Sequence, residues 1–247
     1  MKLENKVAII TGGANGLGKI ITELLLKNGT KVAVLDFDQK ALENFKNNEN
    51  ILKIACDVTK DNEIRNAIGD IKKKYKKIDI LINNAGTLHS EPLISITSKQ
   101  KRHSLDNWKK TIDTNLTAPF LMTSYVAEEM INNRVKGVII NISSISAKGN
   151  IGQSAYSAAK AGLESMTKVW AKELGSFGIR CIAIAPGFID TKSTYKAVTN
   201  ETLTSIKQQM PLKELGNAED ISEAVKFLIE NDFMNGKTLH IDGGLII

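Results

Sequence analysis

Mostly apolar runs of four to eight residues recur along the chain at Val7–Ile10, Val32–Leu35, Ile51–Ala55, Ile78–Ile82, Val138–Ile142 and Ile179–Ala185. Between most of them lie stretches whose apolar positions repeat with helical period, among them Gly18–Asn28, Lys60–Lys74, Trp108–Asn132 and Ser154–Gly175. Strands that are apolar on both sides and alternate with helices predict a parallel sheet covered on both faces, a doubly wound α/β fold. No linker, internal repeat or low-complexity tract interrupts the pattern, so residues 1–247 are expected to form one domain. Two regions break the rhythm: 87–104 is polar and lysine-rich, and 190–210 is weakly helical after a Pro-Gly turn. Both follow predicted strands, where the ligand crevice of an open parallel sheet forms, and both are expected to be substrate loops.

Composition excludes several classes. Hydrophobic residues make up 42% and charged residues 24% of the chain, ordinary for a globular protein and unlike a disordered or collagen-like one. No apolar run approaches the roughly 18 residues of a membrane span, and Met1–Lys6 carries no apolar secretory segment. Cys56 and Cys181 lie far apart in apolar stretches and are expected to be reduced, buried thiols in a cytoplasmic protein. The net charge of +6 comes from 33 basic residues of which only Arg65, Arg102, Arg134 and Arg180 are arginines. The densest run, Lys72–Lys77, closes a predicted helix, where cations suit the negative end of the dipole. It predicts a solvated face rather than a nucleic-acid or membrane surface.

The first predicted strand runs into Thr11-Gly12-Gly13-Ala14-Asn15-Gly16-Leu17-Gly18 and then a helix. Glycines in such a turn let backbone N–H groups approach a pyrophosphate at the helix amino terminus. Asp36 ends the second strand, eighteen residues past Gly18. There a carboxylate accepts hydrogen bonds from both ribose hydroxyls of a dinucleotide and repels a 2′-phosphate. Phe37 supplies no positive charge beside it, and Asn15 stands in the turn where a basic residue would favour NADP(H). These features predict NAD(H) in preference to NADP(H).

Tyr156 and Lys160 stand four apart on a predicted helix and share one face. A lysine ammonium one turn away, together with a cationic ring, is expected to favour the tyrosine phenolate and bring it toward working pH. Taken with Thr11–Gly18, Asn83-Asn84-Ala85-Gly86, Asn115, Ser144, Pro186–Thr191 and Ile241-Asp242-Gly243-Gly244, this ordered set resembles the short-chain dehydrogenase/reductase family. The resemblance implies a seven-stranded Rossmann-like sheet of order 3-2-1-4-5-6-7, commonly a homotetramer. It implies catalytic roles for Asn115, Ser144, Tyr156 and Lys160, with Ser144 polarising a carbonyl and Asn115 holding a water that connects Lys160 to solvent. The usual spacing to the tyrosine points at Ser143, whereas alignment of Asn141-Ile142-Ser143-Ser144 points at Ser144. Ser144 is preferred, because a shorter Ser146–Asn150 loop is easier than a shifted strand. By the same resemblance the cofactor meets Gly12, Asn15, Gly16, Leu17, Gly18, Asp36, Phe37, Asp57, Val58, Asn83, Ala85, Gly86, Tyr156, Lys160, Pro186, Gly187, Ile189 and Thr191. His89, His103 and His240 have no ligand spacing, so no metal is expected.

Substrate is harder to read, since fold and function part at the specificity loops. The segment Thr87–Leu116 is long for the family, and its Lys99–Asp106 stretch resembles the insertion of type II 3-hydroxyacyl-CoA dehydrogenases, as does Ile229–Gly236. Ser144–Lys160 resembles bacterial 3-oxoacyl-carrier-protein reductases instead. The expected activity is hydride transfer between nicotinamide and a secondary alcohol or ketone, foremost a 3-hydroxyacyl/3-oxoacyl thioester of CoA or acyl carrier protein. A steroid, polyol or other small alcohol, and a non-catalytic NAD-binding scaffold, are the competing readings.

Overall fold

The structure, a computed structural model, describes residues 1–46, 48–97, 100–191, 194–195 and 198–245. Seven strands, β1 (Val7–Thr11), β2 (Lys31–Asp36), β3 (Ile51–Ala55), β4 (Ile80–Asn83), β5 (Val138–Ile142), β6 (Arg180–Pro186) and β7 (Thr238–Ile241), pair in the order β3-β2-β1-β4-β5-β6-β7. Every pairing is parallel. The helices are α1 (Gly16–Lys27), α2 (Gln39–Glu43), α3 (Asp61–Tyr75), α4 (Leu105–Ile112), α5 (Ala118–Asn132), α6 (Ser154–Leu174), α7 (Asn200–Gln209) and α8 (Ala218–Glu230).

The period-two alternation of a strand sends neighbouring residues to opposite faces. Ala8, Ile10, Val32, Val34 and Ile140 therefore meet Ile21 and Leu25 of α1 and Ile221 and Val225 of α8. Val7, Ile9, Ala33, Leu35 and Ile139 meet Ile64 and Ile71 of α3, Met122 and Val126 of α5, and Leu163 and Trp170 of α6. Both cysteines are free and buried, and burial pushes each thiol up to about 12. Neither is a nucleophile at neutral pH.

The six apolar runs of the sequence coincide with β1 to β6. β4 begins two residues later than the run suggests, because Asp79 turns its carboxylate onto the Val7 N–H at 2.9 Å. β7 escapes the apolar pattern: it is a half-exposed edge strand with His240 exposed. The lysine run ends α3 as expected, with Lys76 in the left-handed conformation at the cap. Its side chains stay in solvent while reaching Glu129, Asp70 and Asp79.

The long amphipathic stretch expected at Trp108–Asn132 starts earlier and is interrupted. Ser104 caps α4 through its hydroxyl, which accepts the Asn107 N–H at 3.3 Å. A π turn over Asp113–Thr117 then separates α4 from α5. Pro119 has no N–H to offer the carbonyl four residues back, that of Asn115, so the regular register cannot continue there. The widened turn is what carries Asn115.

Candidate active site

The order of strands reverses between β1 and β4, and the crevice outside their carboxyl ends is where a doubly wound sheet receives its ligand. The two strand ends are laced together. The Thr11 hydroxyl accepts the Asn84 and Ala85 N–H groups, both at 3.0 Å. The Asn84 side-chain amide donates to the Thr11 and Gly12 carbonyls, also at 3.0 Å. The sequence placed Thr11 and Asn84 within motifs without giving either a task.

The glycine turn is compact enough to require its glycines. Gly12 has φ +60°, and a Cβ there would lie 2.9 Å from the Ala85 Cα. A Cβ on Gly18 would lie 2.1 Å from the Gly12 carbonyl oxygen. Gly16 has φ +49° at the start of α1. Asn15 caps α1 with no side-chain hydrogen bond, and the first turn, with Leu17, carries no acidic residue. The N–H groups at this helix end are thus left for an anion, which the dipole also favours.

Asp36 is buried at the tip of β2. Its carboxylate accepts the Ala14 N–H and the Asp38 N–H, each at 3.0 Å. That uses about two of the four lone-pair sites of a carboxylate and leaves the rest for hydroxyl donors. Phe37 beside it is exposed, and Asn15 reaches Asp38 at 3.4 Å. Asp57 and Val58 reach the same corner because the Cys56 N–H bonds the Asp36 carbonyl at 2.9 Å. The Asp57 carboxylate is held by the Thr59 N–H and hydroxyl, and Val58 is buried. The glycine cradle, the open helix end and the spare carboxylate sites fit the adenosine and pyrophosphate of a dinucleotide.

The Asn83 side chain is turned into the interior, donating to the Thr123 hydroxyl at 3.0 Å and to Asn141 Oδ1 at 2.8 Å. A strand residue at this register faces the core, so Asn83 offers a ligand its backbone only. Ala85 and Gly86 follow at the crevice. On the far side, Pro186 ends β6, and the Gly187 N–H bonds the Ile241 carbonyl at 2.8 Å. Ile189 is buried and bridges Gly216, while Thr191 shares a hydrogen bond with Thr194 at 3.1 Å. Met210, just past α7, and Leu215 pack on Ile145, next to Ser144. Lys192, Ser193, Lys196 and Ala197 lie outside the described residues, as does Lys99 of the long loop.

At that end α6 presents Tyr156 and Lys160. Lys160 is buried and donates from Nζ to the Ile142 carbonyl at 2.7 Å, with Nζ 5.6 Å from the Tyr156 ring centroid. Burial pulls its pKa down to about 8. The Tyr156 phenol goes the other way: loss of water raises it, and the hydrogen bond with Ser144 only offsets part of that. The expected drop of Tyr156 under the lysine charge is not present in this state. Lys160 directs its charge at a carbonyl, and desolvation outweighs what reaches the phenol.

The two serines part at the strand end. Ser144 is the hydroxyl on Tyr156, and it also accepts the Ser146 N–H at 3.1 Å to cap a short 3-10 turn, Ile145–Lys148. Ser143 is buried on the opposite side and donates to Glu164 Oε1 at 2.8 Å. Asn115 donates its amide to the Thr87 and Thr111 carbonyls, both at 2.9 Å, leaving a buried Oδ1 without a partner. A Cβ on Gly86 would sit 2.7 Å from that oxygen and 3.7 Å from Lys160 Nζ. Asn115 Oδ1 and Lys160 Nζ thus both border Gly86.

The whole chain has relatives. A family model described as enoyl-(acyl carrier protein) reductase matches residues 12–246. The chain is similar to the 3-oxoacyl-[acyl-carrier-protein] reductase of Thermotoga maritima, with 36% identity over 255 residues covering 100% of both chains. It is also similar to that of Escherichia coli strain K12, with 34% identity and 99% of both chains covered. A crystal structure of a short chain dehydrogenase from Bacillus anthracis superposes with a TM-score of 0.86 at 30% identity, covering 98% of this chain and 97% of the other.

The buried Lys160 has a consequence for stability. Its folded pKa of about 8 lies below the roughly 10.4 of a free lysine, so the unfolded chain holds more protons between those values. The burial cost is therefore full below pH 8 and disappears as pH rises through 10.5. The unfolding free energy of wild type minus that of Lys160→Met is expected to climb across that window, by up to about 1.4 kcal/mol per pH unit. Urea titrations from about pH 7 to 10.5 measure it, and a flat difference would show that the ammonium is not desolvated.

Proposed function

The chain belongs to the short-chain dehydrogenase/reductase family, oxidoreductases acting between a CH–OH group and a ketone with a nicotinamide cofactor, and on that premise we propose that it reduces 3-oxoacyl thioesters with NADH. The observation that carries the reading is the Ser144 hydroxyl on the Tyr156 phenol beside a buried Lys160. The names of the full-length relatives support the 3-oxo thioester over the enoyl thioester of the family description.

The Gly12–Gly18 turn and Asp36 would hold the adenosine half of the cofactor, and the Pro186–Thr191 segment the other half. When bound, the nicotinamide supplies the hydride. The protein's own residues manage the oxygen and its proton. Ser144 donates a hydrogen bond to the ketone oxygen and so polarises the carbonyl. Tyr156, kept protonated by its burial, gives its proton to that oxygen as it becomes an alkoxide. Lys160, with Nζ on the Ile142 carbonyl, stabilises the phenolate left behind. A water on Asn115 Oδ1 returns a proton toward Lys160.

NAD(H) over NADP(H) rests on charge at the ribose corner. Asp36 and Asp38 both lie there, and neither Asn15 nor Phe37 supplies a cation for a 2′-phosphate. The acyl group arrives on CoA or on an acyl carrier protein, two sources of one thioester chemistry. A homotetramer would cover the exposed faces of α5 and α6, where Phe120, Ala127, Ile131 and Trp170 line an open groove of about 390 Å³. Light scattering reads this directly: a mass of four times 27.0 kDa is expected, and a monomer would show that the groove is not covered by copies of the chain.

Tyr156→Phe keeps the ring and removes the transferable proton, so NADH binding is expected to persist while turnover of acetoacetyl-CoA falls about 10²–10⁴-fold. Ser144→Ala is expected to lose far more activity than Ser143→Ala. Near-normal turnover in the tyrosine variant, or the reverse order for the serines, would sink the assignment.

Wild type is expected to favour NADH over NADPH in kcat/KM. Asp36→Ala removes both ribose hydrogen bonds and the repulsion, and a charge-assisted hydrogen bond is worth roughly 1.5–3 kcal/mol. The ratio of specificity constants should then shift toward NADPH by about tenfold or more. An unchanged ratio would show that position 36 does not read the ribose.

A further inference from the structure

The long segment after β4 breaks the periodic pattern of the sequence, yet its described residues are joined by many hydrogen bonds. Ile94 and Arg102 form an antiparallel bridge, flanked by Ser95 N–H to Lys101 carbonyl at 2.7 Å and His103 N–H to Leu93 carbonyl at 3.0 Å. Glu91 latches this hairpin. Its N–H bonds the Gly152 carbonyl at 2.7 Å. Its carboxylate accepts the Ser104 N–H at 3.2 Å and the Asn107 amide at 3.1 Å, and His89 stands 3.3 Å away. The Asn107 amide foremost, with the Ser104 N–H and His89, holds the carboxyl below its ordinary pKa. His103 contributes a hydrogen bond between Nδ1 and the Glu91 carbonyl, at 3.0 Å, and lies edge-on to Trp108.

The segment starts at the site: Thr87 gives its carbonyl to Asn115, and the Ser90 hydroxyl accepts the side-chain amide of Gln153, three residues before Tyr156. On this fixed frame stand large apolar side chains in water: Leu93 is 70% exposed, Ile94 58%, Ile96 86% and, next to Gly152, Ile151 97%. Solitary exposed apolar residues are ordinary, whereas a group of them beside a site marks a binding surface. The same hairpin carries the exposed cations Lys101 and Arg102. An apolar lip with a basic flank suits an amphiphile that has an aliphatic chain and an anionic end.

We propose that the hairpin latched by Glu91, with Ile151, is a lip that binds the acyl chain of the thioester substrate and makes the enzyme prefer longer chains. This rests on the thioester reading above and adds the residues that set chain length. Ile94 lies across the antiparallel bridge from Arg102, and Ile96 follows two residues on, more exposed still. Chain carbons laid against these side chains leave water, and each buried methylene is worth roughly fourfold in affinity. The anionic phosphate of the carrier falls to Lys101 and Arg102. Latching makes the lip effective, because a loop that had to order on binding would lose that gain to its own entropy.

The test is the dependence of kcat/KM on chain length with 3-oxoacyl-CoA substrates of four to ten carbons, for wild type and for the triple variant Ile94→Ser, Ile96→Ser, Ile151→Ser. All three side chains are in solvent, so the fold is expected to survive. Wild type should climb at least about tenfold from four to ten carbons. In the variant the loss should grow with length, from within about twofold at four carbons to about tenfold or more at ten. Parallel slopes in the two proteins would overturn the lip and leave the thioester reading standing. Parallel slopes with a lower mass by light scattering would overturn it in favour of a contact between copies. Absence of turnover with every thioester would overturn the thioester reading and the lip with it.

Discussion

A parallel sheet covered on both faces has no polar side to its strands, and that constraint decides where this protein can do chemistry. Ile9, Ile10, Ile80, Leu81, Ile139 and Ile140 meet helices whichever way they point. Polar groups are driven to the carboxyl ends, where the backbone leaves the sheet and its N–H and carbonyl groups become available. Five pieces of the site stand within a few residues of such an end, Gly12 after β1, Asp36 on β2, Gly86 after β4, Ser144 after β5 and Gly187 after β6, while Asn115 comes from the π turn and Tyr156 and Lys160 from α6. The lacing of Thr11 to Asn84 and Ala85 holds the two ends at the reversal point, so that the nucleotide turn and the Asn115 turn keep one geometry.

Polar residues that do enter the interior form a hydrogen-bonded line. Asn83 bonds Thr123 and Asn141, Asn141 bonds Thr167, and Thr167 bonds the Leu163 carbonyl. Buried polar groups left unpaired are costly, so this line specifies how β4 and β5 seat against α5 and α6. It also accounts for Asn83, taken from its motif as a ligand contact, acting as a strut. Unmet acceptors remain at Asn83 Oδ1 within that line and at the reacting end, where the Asn115 oxygen lies near Lys160. Lys160 and Tyr156 are pushed in opposite directions by the same loss of water, which favours the neutral form of each. A neutral phenol next to a readily deprotonated ammonium is an arrangement for passing a proton along rather than for holding charge.

The sequence made β1 to β6 legible because a continuous apolar run of that length, bounded by turns, suits a strand buried on both faces and little else. β7 was hidden because an edge strand meets water on one side and one flank, and only the family resemblance supplied it. The helix through Asn115 was legible in extent but not in register, since its break comes from the N–H that Pro119 lacks rather than from a lapse in amphipathicity. Tyr156 and Lys160 were legible as a pair from their spacing. Their pKa directions were not, because desolvation depends on the tertiary packing around them rather than on their spacing. The choice between Ser143 and Ser144 as the neighbour of Tyr156 is a matter of pleat. One residue past β5 turns a hydroxyl from Glu164 to Tyr156. The hairpin was illegible for another reason: its order comes from Glu91, His103 and Gly152, residues with no local periodicity between them.

Asp36 shows how recognition and scaffold are joined in such a site. Its carboxylate holds the Ala14 N–H of the glycine turn and the Asp38 N–H of the following loop while retaining capacity for a ligand. The carboxylate therefore ties the tip of β2 to the glycine turn that precedes α1. A substitution there alters the shape of the turn as well as the charge. Whatever the β1–β2 corner receives, its shape and its charge are set by one side chain, and a basic residue placed at position 37 would act in a turn whose form depends on Asp36.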